Sequence, residues 1–331
     1  MPADKLRVYF TVDTETSMGG AWRNAAHAPL HTELTIFGKV GSEFYGIPLI
    51  MEILERYEFA ATFFVEVFCA HVLGFEEVAK VFRSIMDRGH DVQLHLHPVY
   101  RFYHAYLQGG RRREQDLMFT FPLEEQCELI ADGVALFKQF AGRQPTAFRA
   151  GCYGASEVTL RALRENGILL DSSYNLCYLD QTCGFQERPL NAPRMLEGVY
   201  EFPVTNFSSR IGEDYKALEI SAVSVPEILG TIRELQEAGC RDVVLVFHSF
   251  SFLKRRGVRF ENRCPDQIVI HRFQQLCEAL SRMEDQIEVA VFGNINLARI
   301  PCPQPQVVPS MGWIRPAMRK ATQGLNTIPW I

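Results

Sequence analysis

Apolar and polar residues alternate with a period of two along residues 6–15: Leu6, Val8, Phe10 and Val12 share one face, and Thr11, Asp13 and Glu15 share the other. The pattern returns at residues 89–98, where Val92, Leu94 and Leu96 oppose Asp91, Gln93, His95 and His97. Both stretches read as strands that bury one face and carry ionisable groups on the other. Shorter apolar runs at 61–65, 146–151, 168–171, 200–204, 242–248 and 287–292 add six more strands. Between them the period changes to that of a helix. Pro48 opens Ile50, Ile53, Leu54 and Tyr57; Val78, Val81, Phe82 and Ile85 follow; further helices are expected from Pro122 to Phe140, over 156–166, from Pro226 and from Pro265. Strand and helix in alternation mean parallel pairing. The predicted class is α/β, a distorted (β/α) barrel of seven or eight parallel strands.

Residues 17–46 carry Gly19, Gly20 and Trp22 without clear periodicity, and read as a rim or lid. The barrel is expected over 1–299. Residues 300–331 form a Pro-rich extension (Pro301, Pro303, Pro305, Pro309) in which Trp313, Ile314, Met318, Leu325 and Trp330 offer apolar surface for the barrel or a partner.

Composition narrows the function. With 331 residues and 47% hydrophobic content the chain can bury a large core. A net charge of −5, with Arg111–Arg113 read as a solvated loop, argues against nucleic acid. Nine irregularly spaced cysteines suit a reducing compartment rather than a disulfide framework. Neither a secretion signal nor an apolar run of about 18 residues is evident, so no transmembrane segment and a cytoplasmic location are expected.

In a parallel barrel the chemistry sits at the C-terminal ends of the strands. There the sequence collects Asp13 and Glu15, His95 and His97, Arg149 and His248. So many ionisable groups on one rim need a partner, because a buried unpaired charge costs several kcal/mol. A divalent cation, zinc in this reading, satisfies them. One carboxylate with two imidazoles leaves an open coordination position. The second carboxylate would act as general base, oriented by Arg149, and His248 would protonate a leaving group. Such a site hydrolyses an amide or ester.

Five segments in order, TVDTE, ATFFVE, GHDVQLHLHP, FRAGCYG and LVFHSF, make the chain resemble the polysaccharide deacetylase superfamily (NodB-homology, carbohydrate esterase family 4) over residues 6–295. The resemblance implies a metal-dependent hydrolase that removes an acetyl group from an amino sugar. It implies Glu15, His95 and His97 as metal ligands and Asp13, Arg149 and His248 as catalytic residues, with Asp13 and Glu15 able to exchange roles. The expected substrate is an N-acetylated sugar precursor, nucleotide-linked or lipid-linked, in surface polysaccharide biosynthesis. Trp22, Tyr100 and Tyr153 are candidates to stack on it or to fill core edges, Asp171 to touch it or brace a loop, and Asp266 to orient His248 or to sit as an ordinary helix N-terminal carboxylate. The sequence departs from the commonest motifs: Thr14 separates the carboxylates, Val99 stands where many members have the second histidine, and Arg149-Ala150-Gly151-Cys152-Tyr153 lacks the usual proline. The residues around Gly151–Tyr153 remain the expected place for an oxyanion hole. Two alternatives are a metal-independent amide or imide hydrolase of the same superfamily and a non-catalytic carbohydrate-binding barrel.

Overall fold

The computed structural model describes residues 5–208, 215–300 and 303–310. Eight parallel strands curl into an incomplete barrel: β1 (Leu6–Thr14), β2 (Thr62–Glu66), β3 (Asp91–Leu96), β4 (Ala147–Ala150), β5 (Leu170–Asp171), β6 (Val199–Glu201), β7 (Asp242–His248) and β8 (Ile287–Ala290). Strand β1 is central, pairing with β7 on one side and, on the other, with β8 along its first half and β2 along its second. From β2 the sheet runs through β3, β4 and β5 to β6. A short antiparallel strand, Arg194–Leu196, then ends it.

No ladder closes β6 onto β7. The segment after β6 fills the seam, with Thr205 N–H donating to Val244 O (3.1 Å) and Val246 N–H to Leu218 O (3.0 Å). This departs from a regular barrel because β5 and β6 are only two and three residues long. Part of the extension lies along the same seam: Gln304 accepts from Arg241 N–H at 2.8 Å and donates to Asp242 at 2.7 Å, and Ser208 N–H donates to Pro309 O at 2.7 Å. Trp313, Ile314, Met318, Leu325 and Trp330 lie outside the described residues.

Helices α1 (Ile47–Glu55), α2 (Phe75–Met86), α3 (Pro98–Leu107), α4 (Leu123–Ala141), α5 (Glu157–Glu165), α6 (Val225–Glu237) and α7 (Gln267–Ser281) accompany the strands. Their starts follow local chemistry. Pro48, Pro98 and Pro226 stand in the first turns of α1, α3 and α6, where a missing N–H costs nothing. Ser156 and Ser224 form capping boxes on α5 and α6. Asp266 caps α7 by accepting from Val269 N–H at 3.2 Å, so it serves as a helix N-terminal carboxylate. Among the described residues no helix is long and apolar enough to cross a membrane.

Strand alternation divides the interior into two layers. Leu6, Val8, Phe10 and Val12 belong to the main core, as do Val243, Leu245 and Phe247 of β7. Their neighbours turn into the barrel, whose base is plugged by Tyr9, Phe64, Phe202 and Phe292. Tyr9 meets Phe202 edge-on at 5.9 Å and Phe292 at 5.2 Å. Above this apolar plug the same inward rows become polar: Thr11 and Asp13, Glu66, Gln93 and His95, Arg149. A dry floor under a charged rim follows from the period of two.

A second buried polar group lies away from that rim. Asp171 and Glu201 are register partners on β5 and β6, both fully buried. Asp171 accepts from Ser173 Oγ at 2.7 Å and Ser173 N–H at 3.2 Å, whereas Glu201 Oε2 has no hydrogen-bond donor from another group among the described residues. Burial, reinforced by the Asp171 charge, pushes the Glu201 carboxyl well above the usual range, so it keeps a proton that it shares with Asp171. The folded state therefore holds this proton more tightly than the unfolded chain. Stability is fully present below the ordinary carboxylate value of 4.5 and falls as pH rises from there through the folded value. Glu201→Gln supplies a permanent N–H donor, and its denaturation midpoint should lose this pH slope and exceed that of the parent near neutrality. Identical pH profiles for the two proteins would refute the shared proton.

Candidate active site

Glu15, His95 and His97 meet at the C-terminal rim, with ligand atoms all within 4.8 Å of one another. Glu15 Oε2 lies 3.1 Å from His95 Nε2 and 2.6 Å from His97 Nε2. The two rings stand nearly perpendicular, 83° apart. This follows from their spacing: residues two apart on a strand project the same way, and His97, just past β3, begins the turn into α3.

Each imidazole is held from behind. His95 Nδ1 donates to the Arg149 carbonyl at 2.8 Å, which turns its Nε2 toward the Glu15 oxygen. His97 Nδ1 contacts Asp116 Oδ2 at 2.6 Å, and Val99 N–H fixes the other Asp116 oxygen at 3.2 Å. Burial lowers the affinity of His97 for a proton, but Asp116 and Glu15 outweigh it and push this imidazole well above its usual value. Burial likewise raises Glu15, yet His97 and the hydrogen bonds of both imidazoles hold the carboxyl well below its usual range. Without an ion these contacts are charge-assisted hydrogen bonds; with both imidazoles neutral, the same two nitrogens and the carboxylate oxygen are three ligand atoms turned toward one point. A divalent cation fits this donor set, and the carbonyl and carboxylate behind the imidazoles are the supports such ligands ordinarily have.

Beside this cluster lies a buried ion pair. Asp13 is 4% exposed, and its Oδ1 accepts from Arg149 Nη1 at 2.7 Å. Arg149, fully buried, also donates to Thr11 Oγ1 (2.9 Å), Ser172 O (2.8 Å) and Ser172 Oγ (2.8 Å), and its guanidinium stacks on Phe64 at 4.3 Å. His248 is the register partner of Asp13 on β7, and its Nε2 stands 3.9 Å from Glu15 Oε1. Thus all six ionisable residues collected from the strand ends gather here.

Of the other candidates, Tyr153 stands at this rim. It stacks on Tyr178 at 5.3 Å, and burial together with the Asp13 charge pushes its phenol well above the usual value, so it remains a donor. Gly151 precedes it where a Cβ would lie 2.5 Å from the His97 ring, which only glycine permits. Cys152 and Tyr153 then adopt left-handed backbone, φ 53° and 57°, a strained turn beside the cluster. Tyr100 is buried and shares a hydrogen bond with Thr16 at 2.6 Å. The structure does not bring Trp22 or Asp171 to the cleft. Trp22 is buried against Tyr103 (4.9 Å) and Tyr106 (5.4 Å), pinning the 17–46 rim to α3. Asp171 shares its register position with Phe148, on the face turned away from the barrel interior.

Sequence reasoning missed Asp116, which lies in an aperiodic loop. Arg111–Arg113 lie in a loop with Arg111 and Arg112 exposed, as read from the sequence; in addition Arg112 donates to Trp22 O at 2.7 Å, and Arg113 pairs with Glu125 and stacks on Phe102 at 4.2 Å, so these two arginines tie down the loop that carries Asp116. A second basic run, Lys254-Arg255-Arg256, went unread, although it was visible in the sequence. It lies on a hairpin, Leu253–Arg256 with Glu261–Pro265. Arg255 and Phe250 join Glu15, Ser17, His97 and Asp116 in lining a cleft of about 260 Å³.

The barrel left open at one seam is a fold shared with solved structures described as polysaccharide deacetylases and an allantoinase. Similar solved structures include one described as a polysaccharide deacetylase from Mycobacterium smegmatis, at 17% identity and TM-score 0.56, covering 94% of this chain and 97% of that one. Another, described as a polysaccharide deacetylase from Pseudomonas aeruginosa PAO1, has 14% identity and TM-score 0.52, covering 89% and 91%. Puue allantoinase is similar at 14% identity and TM-score 0.52, covering 89% and 90%. No family model matches the sequence, and no curated protein does.

Proposed function

We propose that this protein is a divalent-metal-dependent hydrolase that removes an acetyl, or other N-acyl, group from an amino sugar or sugar-linked precursor in surface polysaccharide biosynthesis. The observation that carries this reading is the convergence of Glu15, His95 and His97 beside the Asp13–Arg149 pair at one strand-end rim. Glu15, His95 and His97 would hold the ion, zinc in this reading, which when bound would supply Lewis acidity toward the acyl carbonyl and water. Asp13, with one oxygen fixed by Arg149, takes the water's proton through its free oxygen. His248 gives a proton to the departing amine, so the amide C–N bond breaks and acetate and a free amino sugar leave. The Gly151–Tyr153 turn begins against the His97 ring, and its backbone N–H groups are the donors this reading assigns to the carbonyl oxygen as charge develops on it.

The test is acetate release from N-acetylated sugars by protein stripped of metal and then reloaded with zinc. Release that returns with zinc supports the reading; release indifferent to zinc overturns it. That second outcome would favour metal-independent amide or imide hydrolysis. Two observations motivate this alternative: His97, flanked by Asp116 and Glu15, is satisfied in charge as an imidazolium, and one similar structure is an allantoinase.

Asp116 gives a finer check. Removing the carboxylate behind a metal-bound imidazole ordinarily weakens metal affinity about 10–100-fold. Asp116→Ala should do so in a competition titration against a zinc chelator while leaving the fold intact. Unchanged affinity would count against His97 as a ligand.

A further inference from the structure

Arg255 stands on the rim of the same cleft, within reach of the Glu15 charge, but its guanidinium contacts no carboxylate among the described residues. It stacks over Phe250 at 4.4 Å and Phe260 at 4.2 Å, and no hydrogen bond or ion pair involves it among the described residues. The nearby carboxylates are already engaged: Glu15 by His95 and His97, Asp116 by His97 and Val99 N–H. Arg259 and Arg263 of the same hairpin donate to backbone carbonyls, Gly19 O at 2.9 Å and Lys39 O at 2.7 Å, and thereby fasten the hairpin to the 17–46 rim. Arg255 is therefore presented rather than used. Two aromatic rings hold the planar fork while its donors stay free, an arrangement suited to a bidentate oxyanion.

Its place relative to the chemistry is also fixed. Phe250, under the guanidinium, stacks on His248 at 5.0 Å with the rings 24° apart. One ring thus separates Arg255 from the residue that protonates the departing amine. We propose that Arg255 recognises an anionic group, a phosphate or a carboxylate, carried by the sugar on the leaving-group side of the scissile amide. This rests on the deacetylase reading for the position of the sugar, but the recognition itself needs only Arg255 and its two rings.

The test is calorimetric binding of three probes: N-acetylglucosamine 1-phosphate, N-acetylmuramic acid and the neutral methyl glycoside of N-acetylglucosamine. One charge-assisted contact of about 1.5–3 kcal/mol corresponds to about 10–100-fold in affinity. At least one anionic probe should bind that much more tightly than the neutral one. Tighter binding of the phosphate points to a phosphate-linked precursor, and tighter binding of the carboxylate to an acidic sugar. Arg255→Ala should abolish the difference and leave the neutral probe unaffected, whereas Arg255→Lys should keep part of it. The preference should persist in the His95→Ala, His97→Ala protein, which separates this proposal from the metal reading. Equal binding of all three probes, binding of none, or an alanine variant that weakens neutral and anionic probes alike would overturn it. Absence of acetate release with the anion preference intact would sink the deacetylase reading alone.

Discussion

His95→Ala together with His97→Ala should yield folded protein without bound zinc, and acetate release lower by about three orders of magnitude or more. Two of the three donors disappear, and the remaining carboxylate, Glu15, cannot hold an ion on its own. The magnitude follows from losing Lewis-acid activation, several kcal/mol of transition-state stabilisation, where each 1.36 kcal/mol is about tenfold in rate. The fold should persist because both side chains lie above the apolar plug rather than in it, with His95 1% and His97 9% exposed at the rim. Elemental analysis beside the parent decides the matter. Equal metal in the two samples would remove these histidines as ligands, whatever happened to the rate.

Arg149→Met should be the most destabilising single replacement at the site, by about 3–5 kcal/mol, because it strips a buried carboxylate of its partner. Asp13 would be left without its partner in a nearly closed environment, and Thr11 Oγ1, Ser172 O and Ser172 Oγ would lose a donor. Chemical denaturation should show a lower midpoint at unchanged slope, and turnover should fall as Asp13 loses its orientation. The double variant Asp13→Asn, Arg149→Met removes the charge along with its partner and should recover much of the stability but none of the activity. If Arg149→Met alone melted like the parent, the pair would not be the buried unit described above.

The fold and most of the rim were legible because one rule, the period of two, governs both. Val12 buried and Asp13 inward, Leu94 buried and His95 inward, are the same alternation seen on neighbouring strands, and parallel pairing brings their ends together. What escaped came from segments without a period. Asp116 reaches His97 only because Arg112 and Arg113 tie down an irregular loop. The seam between β6 and β7 is bridged at isolated residues, among them Thr205, which donates to Val244 O, and Leu218, which accepts from Val246 N–H, for which no sequence pattern exists. Trp22 looked like a ring for stacking, but its burial against Tyr103 and Tyr106 depended on a helix contact 80 residues further on. Arg255 was overlooked for another reason: a run of three basic residues says little until the two phenyl rings beneath it are seen.

Arg149 joins the two halves of the site in one residue. Its side chain grips Asp13 at 2.7 Å while its own carbonyl receives the His95 ring at 2.8 Å. Asp13 and the His95 imidazole therefore hang from a common mount. Strands β1 and β3 are thus clasped to β4 through this one residue, and a change at position 149 reaches both side chains at once.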